Sequence, residues 1–209
     1  MPHFSMNKIR GLYAITDPTL SGAHLIEHCT QALRGGARLL QYRDKHASAI
    51  EKFRTAETLR KLCDQYKALF IVNDEPILAK ATGAHGVHIG QSDGGIERAR
   101  ELLGDEAIIG VSCHGDAGLA REMASQGASY VAFGRFFDSH TKPQAQQAGV
   151  QVLGTALPVP KVAIGGVTPD NAPSLLRAGA DALAVIHALF SSTDIEATAQ
   201  HFARLFPEE

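Results

Sequence analysis

At 209 residues, with 44% hydrophobic and 20% charged side chains, the chain has the composition of an ordinary globular protein of one large domain or two small ones. Its formal net charge of -2 gives no global attraction to nucleic acid or to an anionic membrane surface, so any anion site must be local. No segment approaches the ~20 apolar residues of a membrane span, and residues 1–10 carry no apolar run of signal-peptide length. Cys29, Cys63 and Cys113 are too few and too far apart for a disulfide framework or a zinc cage, and fit a reducing cytoplasm.

A lead-in over residues 1–10 is followed by an apolar strand at 11–16 and a helix at 25–33 with apolar residues at three- and four-residue spacing. Gly36-Ala37-Arg38 then opens the strand LLQYR, and a longer helix covers 50–66. A strand at 68–74 and a short helix at 78–82 lead to Gly83-Ala84-His85 and the strand GVHIG. Next come a short helix at 96–103, a strand at 107–114 and a helix at 116–126. Gly127-Ala128-Ser129 opens YVAFG, and a helix dominated by Gln and Ala is expected over 144–153. The remaining elements are a strand at 160–166, a helix at 169–178 with Pro169 in its first turn, Gly179-Ala180-Asp181 before ALAVIH, and a helix at 195–206.

The four Gly-Ala steps each close a helix and open a strand, where glycine supplies a left-handed cap. Eight near-continuous apolar strands alternating with helices imply a parallel sheet covered on both faces. The fold class expected is α/β, a single-domain (β/α)8 TIM barrel over 1–209 whose barrel proper spans 11–206. The runner-up is an open doubly wound sheet. It would place a Gly-rich nucleotide turn after the first strand, where this chain has Thr16-Asp17-Pro18.

Barrel chemistry sits at the carboxyl ends of the strands, and those ends are the polar ones here. Strand two ends in Gln41, Arg43 and Lys45, which share one face, with Leu40, Tyr42 and Asp44 on the other. An arginine fork and a mobile lysine suit an anion. Strand three ends in Asn73-Asp74, four leads to Gln91-Ser92-Asp93, and five ends in Ser112-Cys113-His114. Strand six runs through Gly134 and Arg135 to Ser139, His140, Thr141 and Lys142; seven ends in Gly165-Gly166 and eight in Ile186-His187.

Each group has a plainer reading. Asp74 could cap the helix that Pro76 opens, and Asp93 could be a turn residue before Gly94-Gly95. Together beside Arg43 and Lys45 they suit a hard divalent cation such as Mg2+, which takes one or two carboxylates, waters and substrate phosphates. Gly165-Gly166 is either a tight turn or backbone N–H groups offered to a phosphate. Cys113 as a nucleophile, His85 with His88 as a zinc pair, and Lys45 or Lys142 as a Schiff-base lysine lack supporting partners in sequence.

The set of motifs resembles the thiamine-phosphate synthase (thiamine-phosphate pyrophosphorylase) family. It comprises Leu12-Tyr13-Ala14-Ile15-Thr16-Asp17, Gln41-Tyr42-Arg43-Asp44-Lys45, Ile71-Val72-Asn73-Asp74 and Gly86-Val87-His88-Ile89-Gly90-Gln91-Ser92-Asp93. It continues with Ile109-Gly110-Val111-Ser112-Cys113-His114, Ser139-His140-Thr141-Lys142 and Ala163-Ile164-Gly165-Gly166-Val167. The resemblance runs from Gly11 to Phe190. It implies a barrel that joins a pyrimidine diphosphate to a thiazole phosphate with Mg2+, giving thiamine phosphate and pyrophosphate. It further implies that Gln41, Tyr42, Arg43, Asp44, Lys45, Asn73, Ser112 and Lys142 hold the pyrimidine diphosphate, with Arg43, Lys45, Ser112 and Lys142 acting on the reaction. Asp74 and Asp93 would bind the metal, and Ser139, His140, Thr141, Gly166, Ile186 and His187 would border the thiazole phosphate.

The chain departs from the commoner family pattern at Arg135-Phe136-Phe137-Asp138-Ser139, where prolines and a threonine are usual, and at His187, where serine is usual. The implied chemistry is loss of pyrophosphate to a ring-stabilised cation captured by the thiazole nitrogen. It needs charge stabilisation and alignment rather than a nucleophile. Alternatives are a non-catalytic or regulatory thiamine- or thiazole-phosphate-binding relative, which the retained Arg43, Lys45, Asp74 and Asp93 disfavour, or another phosphate-handling barrel isomerase or aldolase. The expected partners are the two small substrates, with neither nucleic acid nor membrane; a homo-oligomer stays open.

Overall fold

A computed structural model describes residues 9–17, 19–138, 144 and 146–206. Eight parallel strands hydrogen-bond in sequence order and close on themselves: β1 (Gly11–Ile15), β2 (Leu39–Tyr42), β3 (Leu69–Asn73), β4 (Gly86–Ile89), β5 (Ile108–His114), β6 (Tyr130–Phe133), β7 (Lys161–Ile164) and β8 (Ala182–Val185). Closure is direct, with Gly11, Leu12, Tyr13 and Ala14 opposite Ala182, Leu183, Ala184 and Val185. The doubly wound alternative, which needs open sheet edges, is therefore excluded.

Strand alternation sorts the apolar residues into two cores. Inward positions such as Tyr13, Leu39, Leu69, Ile71, Ile108, Tyr130, Val162 and Ala184 fill the barrel, joined by Ile9 from just before β1. Outward positions such as Leu12, Leu40, Phe70, Val87, Ile109, Val131 and Leu183 pack under the helices. These are α1 (Gly22–Arg34), α2 (Ala49–Gln65), α3 (Pro76–Thr82), α4 (Gly95–Leu103), α5 (Ala117–Ser125), α6 (Ala172–Arg177), α7 (His187–Phe190) and α8 (Ile195–Ala203). None is long and apolar enough to cross a membrane. The helical ring closes where α8 meets α1 so tightly that a Cβ at Gly35 would overlap Ala199.

The recurring Gly-Ala step is one device used four times. Gly36, Gly83, Gly127 and Gly179 all have positive φ. The alanine after each donates its N–H back into the preceding helix, to Ala32, Ala79, Met123 and Leu175 at 2.9–3.1 Å, closing the helix before the strand begins. Helix starts use side chains: Ser48 and Glu51 form a reciprocal capping box on α2, and Asp116 and Asp194 cap α5 and α8.

Two helix expectations need correction. In place of a helix over 144–153 the structure has a 3-10 turn at Val150–Gly154. The residues before it are tied to the β6 loop instead, with Ala148 N–H on the Arg135 carbonyl at 2.7 Å and the Gln147 amide on the Phe136 carbonyl at 2.6 Å. The helix expected from 169 begins at Ala172, with Pro173 in its first turn. Thr168 and Asn171 bond each other's backbone and side chain in the preceding turn, and the Asn171 amide also donates to the Gly166 carbonyl. A short α7 directly after β8 was not expected.

Candidate active site

The carboxyl ends of the strands surround a cavity of about 270 Å³. From the first half of the barrel it is lined by Gln41, Arg43, Asn73, His88 and Ser112, with Tyr13 and Ile15 from β1 below them. From the second half it is lined by Arg135, Asp138, Gly165, Gly166, Thr168, Ile186 and His187. Residues named from sequence as bordering two different anions thus face one space.

Arg43 is placed by β1. Its backbone N–H donates to the Thr16 hydroxyl at 2.8 Å, and that hydroxyl donates to the Arg43 carbonyl at 3.1 Å. Tyr42 and Asp44 are not brought to the cavity. Tyr42 points outward into the core under the helices, where burial pushes its phenol pKa up. The Asp44 carboxylate accepts the N–H groups of His46 and Ala47 at 2.8 and 3.0 Å, the role of a turn cap. This follows from the two-residue period that puts Gln41 and Arg43 inside.

Lys45 Nζ lies 3.8 Å from the Asp74 carboxylate. Asp74 is not the helix cap that its position before Pro76 suggested; that position is held by Glu75, whose side chain does not cap the helix but accepts from Lys52 Nζ at 2.6 Å. Its backbone adopts φ 61, a turn that Asp tolerates better than most residues, and its N–H extends the ladder to the His88 carbonyl at 2.8 Å. Burial raises the Asp74 pKa, and the neighbouring Asp93 carboxylate raises it further. Asp93 also performs the turn role, accepting the Gly90 N–H at 2.7 Å.

This pair fits a divalent cation held by two carboxylates and completed by water and substrate oxygens, because a cation would relieve the repulsion that lifts the Asp74 pKa. Among the described residues no group of three or more His, Cys, Asp or Glu gathers as a zinc cage would require. His85 and His88 face different surroundings: His85 Nδ1 accepts the Phe70 N–H at 2.9 Å, while His88 points into the barrel. The nucleophile reading of Cys113 also fails, since its thiol is fully buried on the outward face and its pKa is pushed up to about 12 by that burial.

A polar chain crosses the floor of the cavity. Gln41 Nε2 donates to Tyr13 Oη at 2.8 Å, Tyr13 Oη meets Tyr130 Oη at 2.8 Å, and Tyr130 Oη meets His88 Nδ1 at 2.9 Å. His88 Nε2 then meets Ser112 Oγ at 2.9 Å. The Ser112 carbonyl is held in turn by the Gln91 amide at 2.7 Å. Sequence reasoning gave Tyr13 and Tyr130 no role and did not connect His88 to Ser112. The available signal was an inward-facing tyrosine on β1 and another on β6, each needing a partner for its hydroxyl.

At the other end, the β6 loop is laid directly on the end of β7. Phe136 and Phe137 donate their N–H groups to the carbonyls of Ile164 and Gly165 at 3.3 and 3.0 Å. A Cβ at Gly165 would overlap Arg135, and one at Gly166 would overlap Phe137 and the Asp138 carbonyl. Arg135 is fixed there by Nη1 bonds to the Phe137 carbonyl at 3.2 Å and to Asp138 at 2.9 Å. His187 lies across the mouth, with Nδ1 at 2.9 Å from the Ser191 hydroxyl. Ser139, His140, Thr141 and Lys142 lie outside the described residues. Arg135 is a cation at this end that sequence reasoning placed at the carboxyl end of strand six and noted as a departure, without giving it a ligand role.

A sequence profile of the family described as "Thiamine monophosphate synthase" matches residues 12–189. The chain is 56% identical over 208 residues to the thiamine-phosphate synthase of Alcanivorax borkumensis, covering 96% of both chains. Among solved structures it is similar to a thiamine phosphate pyrophosphorylase from Pyrococcus furiosus, at 35% identity, TM-score 0.87 and 96% coverage of each chain. A geranylgeranylglyceryl phosphate synthase from Thermoplasma acidophilum shares the fold at TM-score 0.68 and 13% identity, with 96% and 94% covered.

Proposed function

The chain belongs to the thiamine-phosphate synthase family and is a transferase of thiamine biosynthesis, and from that premise we propose how its residues divide the work. The supporting observation is that one cavity carries two separate anion-suited ends. On one side Arg43 lines the cavity, and Lys45 with the Asp74–Asp93 pair lies at the neighbouring strand ends outside that lining; on the other side Arg135, Gly165, Gly166 and His187 line it. The first end takes the pyrimidine diphosphate and the second the thiazole phosphate. Residues 11–206 act as one barrel domain. The three thiols, all free and buried, suit a reducing cytoplasm.

Asp74 and Asp93 would hold Mg2+, which when bound neutralises charge on the leaving diphosphate. Arg43 and Lys45 bind the same diphosphate oxygens, Arg43 as a rigid fork and Lys45 as a mobile charge released from Asp74. The bond from the pyrimidine methylene to the diphosphate oxygen breaks, and the electron pair leaves with pyrophosphate. The thiazole nitrogen lone pair then forms the new carbon–nitrogen bond. No proton moves in this sequence, which agrees with a cavity that offers cations and donors but, among the described residues, no activated nucleophile. Ser112 and Lys142 belong to the diphosphate end by the family resemblance, as do Ser139, His140, Thr141 and Ile186 to the thiazole-phosphate end. Tyr42 and Asp44 support the Arg43 strand end from outside the cavity.

The test is an incubation of both precursors with the protein and Mg2+, reading pyrophosphate. Release should need both precursors, stop with excess chelator and return with Mg2+. Pyrophosphate or phosphate released from one precursor alone, or full activity in chelator, would overturn the reading.

A further inference from the structure

The polar chain beneath the cavity joins five side chains from five strands, and its hydrogens can be ordered. The amide nitrogen of Gln41 can only donate, so Tyr13 Oη accepts from it. The Tyr13 hydrogen then belongs on the bond to Tyr130 Oη. Having accepted, Tyr130 donates to His88 Nδ1. If that nitrogen accepts, a neutral ring bears its hydrogen on Nε2 and donates it to Ser112 Oγ. The Ser112 hydrogen is thereby turned away from His88. At the opposite end, the bond to Tyr13 takes one of the two hydrogens on the Gln41 amide nitrogen and fixes the orientation of the amide, leaving its carbonyl oxygen as the acceptor that points away from Tyr13.

We propose that Tyr13, Tyr130 and His88 are positioning residues that set the hydrogen-bond polarity of the two cavity side chains at the ends of their chain. Gln41 becomes the acceptor end and Ser112 the donor end. The ligand matched by that polarity is a flat heterocycle with an exocyclic amine to donate and a bare ring nitrogen to accept, an aminopyrimidine. This rests on the pyrimidine diphosphate reading above and deepens it. The opposite polarity, with every hydrogen reversed, would instead match a ring carrying an exocyclic oxygen and a ring N–H.

Three further observations support the ordering. Burial pushes the pKa values of both Tyr13 and Tyr130 up, so each phenol keeps the hydrogen the ordering needs. Tyr130 can lie across the barrel floor only because β5 has no side chain at Gly110, where a Cβ would overlap its ring. The rings are held in fixed mutual poses, Tyr130 stacked on His88 at 5.6 Å between centroids and edge-on to Tyr13 at 6.0 Å. A chain of such bonds in a dry interior has few ways to rearrange singly.

The experiment has two readouts. Nitrogen-15 NMR of histidine-labelled, ligand-free protein, with His88 assigned by His88→Gln, should show the Nε2–H tautomer. That tautomer should persist in Tyr13→Phe, which cuts only the Gln41 side, and lose its preference in Tyr130→Phe. Calorimetry with Mg2+ then compares the aminopyrimidine diphosphate with its oxo analogue, in which amine and ring nitrogen exchange donor and acceptor roles. Wild type should prefer the amine, and the preference should shrink by about tenfold or more in Tyr130→Phe, the size expected when one buried hydrogen bond loses its direction. If Tyr130→Phe does not fold, Tyr13→Phe should show a reduced preference with its His88 tautomer intact. An Nδ1–H tautomer in wild type, or an unchanged preference in the folded variants, would overturn the proposal. Failure of wild type to bind either diphosphate would contradict the substrate reading, while the tautomer would still decide the polarity.

Discussion

At the residue scale, the carboxylate pair gives the sharpest expectation, because it is a liability without its cation. Asp74 has a raised pKa, so the folded protein binds its proton more tightly than the unfolded chain does. That contribution to stability is full below the unfolded carboxylate pKa and is lost as pH rises through the raised value. At neutral pH, Asp74→Asn should therefore stabilise the metal-free protein, by about 0.5–2 kcal/mol. The lost contact with Lys45 is long and its lysine half-exposed, so it offsets little. Thermal denaturation with and without Mg2+ checks this: the cation should raise Tm in wild type and not in the variant. Protons should also compete with Mg2+ at higher pH than an ordinary carboxylate would allow. Asp93→Ala should abolish turnover while the fold survives; wild-type rates would remove it from the metal site. These two residues were legible in the sequence as a pair on adjacent strand ends. The plainer reading of Asp74 as a cap fell because Glu75 takes that position, while Asp93 proves to be a turn residue and a candidate ligand at once.

At the element scale, the strands were legible because each is a short apolar run opened by the same Gly-Ala step. The segments after β6 and β7 were not. Their backbone is spent on tertiary bonds to the β6 loop and on the Thr168–Asn171 turn, which no periodicity reports. Elements that only build the frame should separate stability from activity. Ser48→Ala removes the reciprocal cap of α2 and should cost about 0.5–2 kcal/mol without changing either substrate's KM; a changed KM would mean that α2 shapes the cavity. Gly86→Ala is harsher, since its Cβ would overlap the Ile108 carbonyl on the neighbouring strand. It should destabilise by about 1–3 kcal/mol or more, measured by urea denaturation. The chain from Gln41 to Ser112 was illegible for a different reason. Tyr13 and Tyr130 are 117 positions apart, and only barrel closure brings their hydroxyls together.

At the scale of the whole molecule, the barrel explains why so plain a composition carries a specific site. Closure turns eight strand ends toward one mouth, and the order of the strands around it decides which groups share a ligand. β2 and β5 bring Arg43 and Ser112 to the cavity, with Lys45, Asp74 and Asp93 gathered at the strand ends beside it; β6 to β8 bring Arg135, Gly165, Gly166 and His187. The two halves of the mouth should therefore be separable. The most direct measurement is steady-state kinetics with each substrate varied in turn for Arg43→Ala and Arg135→Ala. Each lost charge-assisted contact should cost roughly 1.5–3 kcal/mol, about ten- to a hundred-fold. The pattern should cross, with Arg43→Ala weakening the pyrimidine diphosphate and sparing the thiazole phosphate, and Arg135→Ala doing the reverse. Equal losses for both substrates in both variants would contradict the division of the mouth into two anion ends.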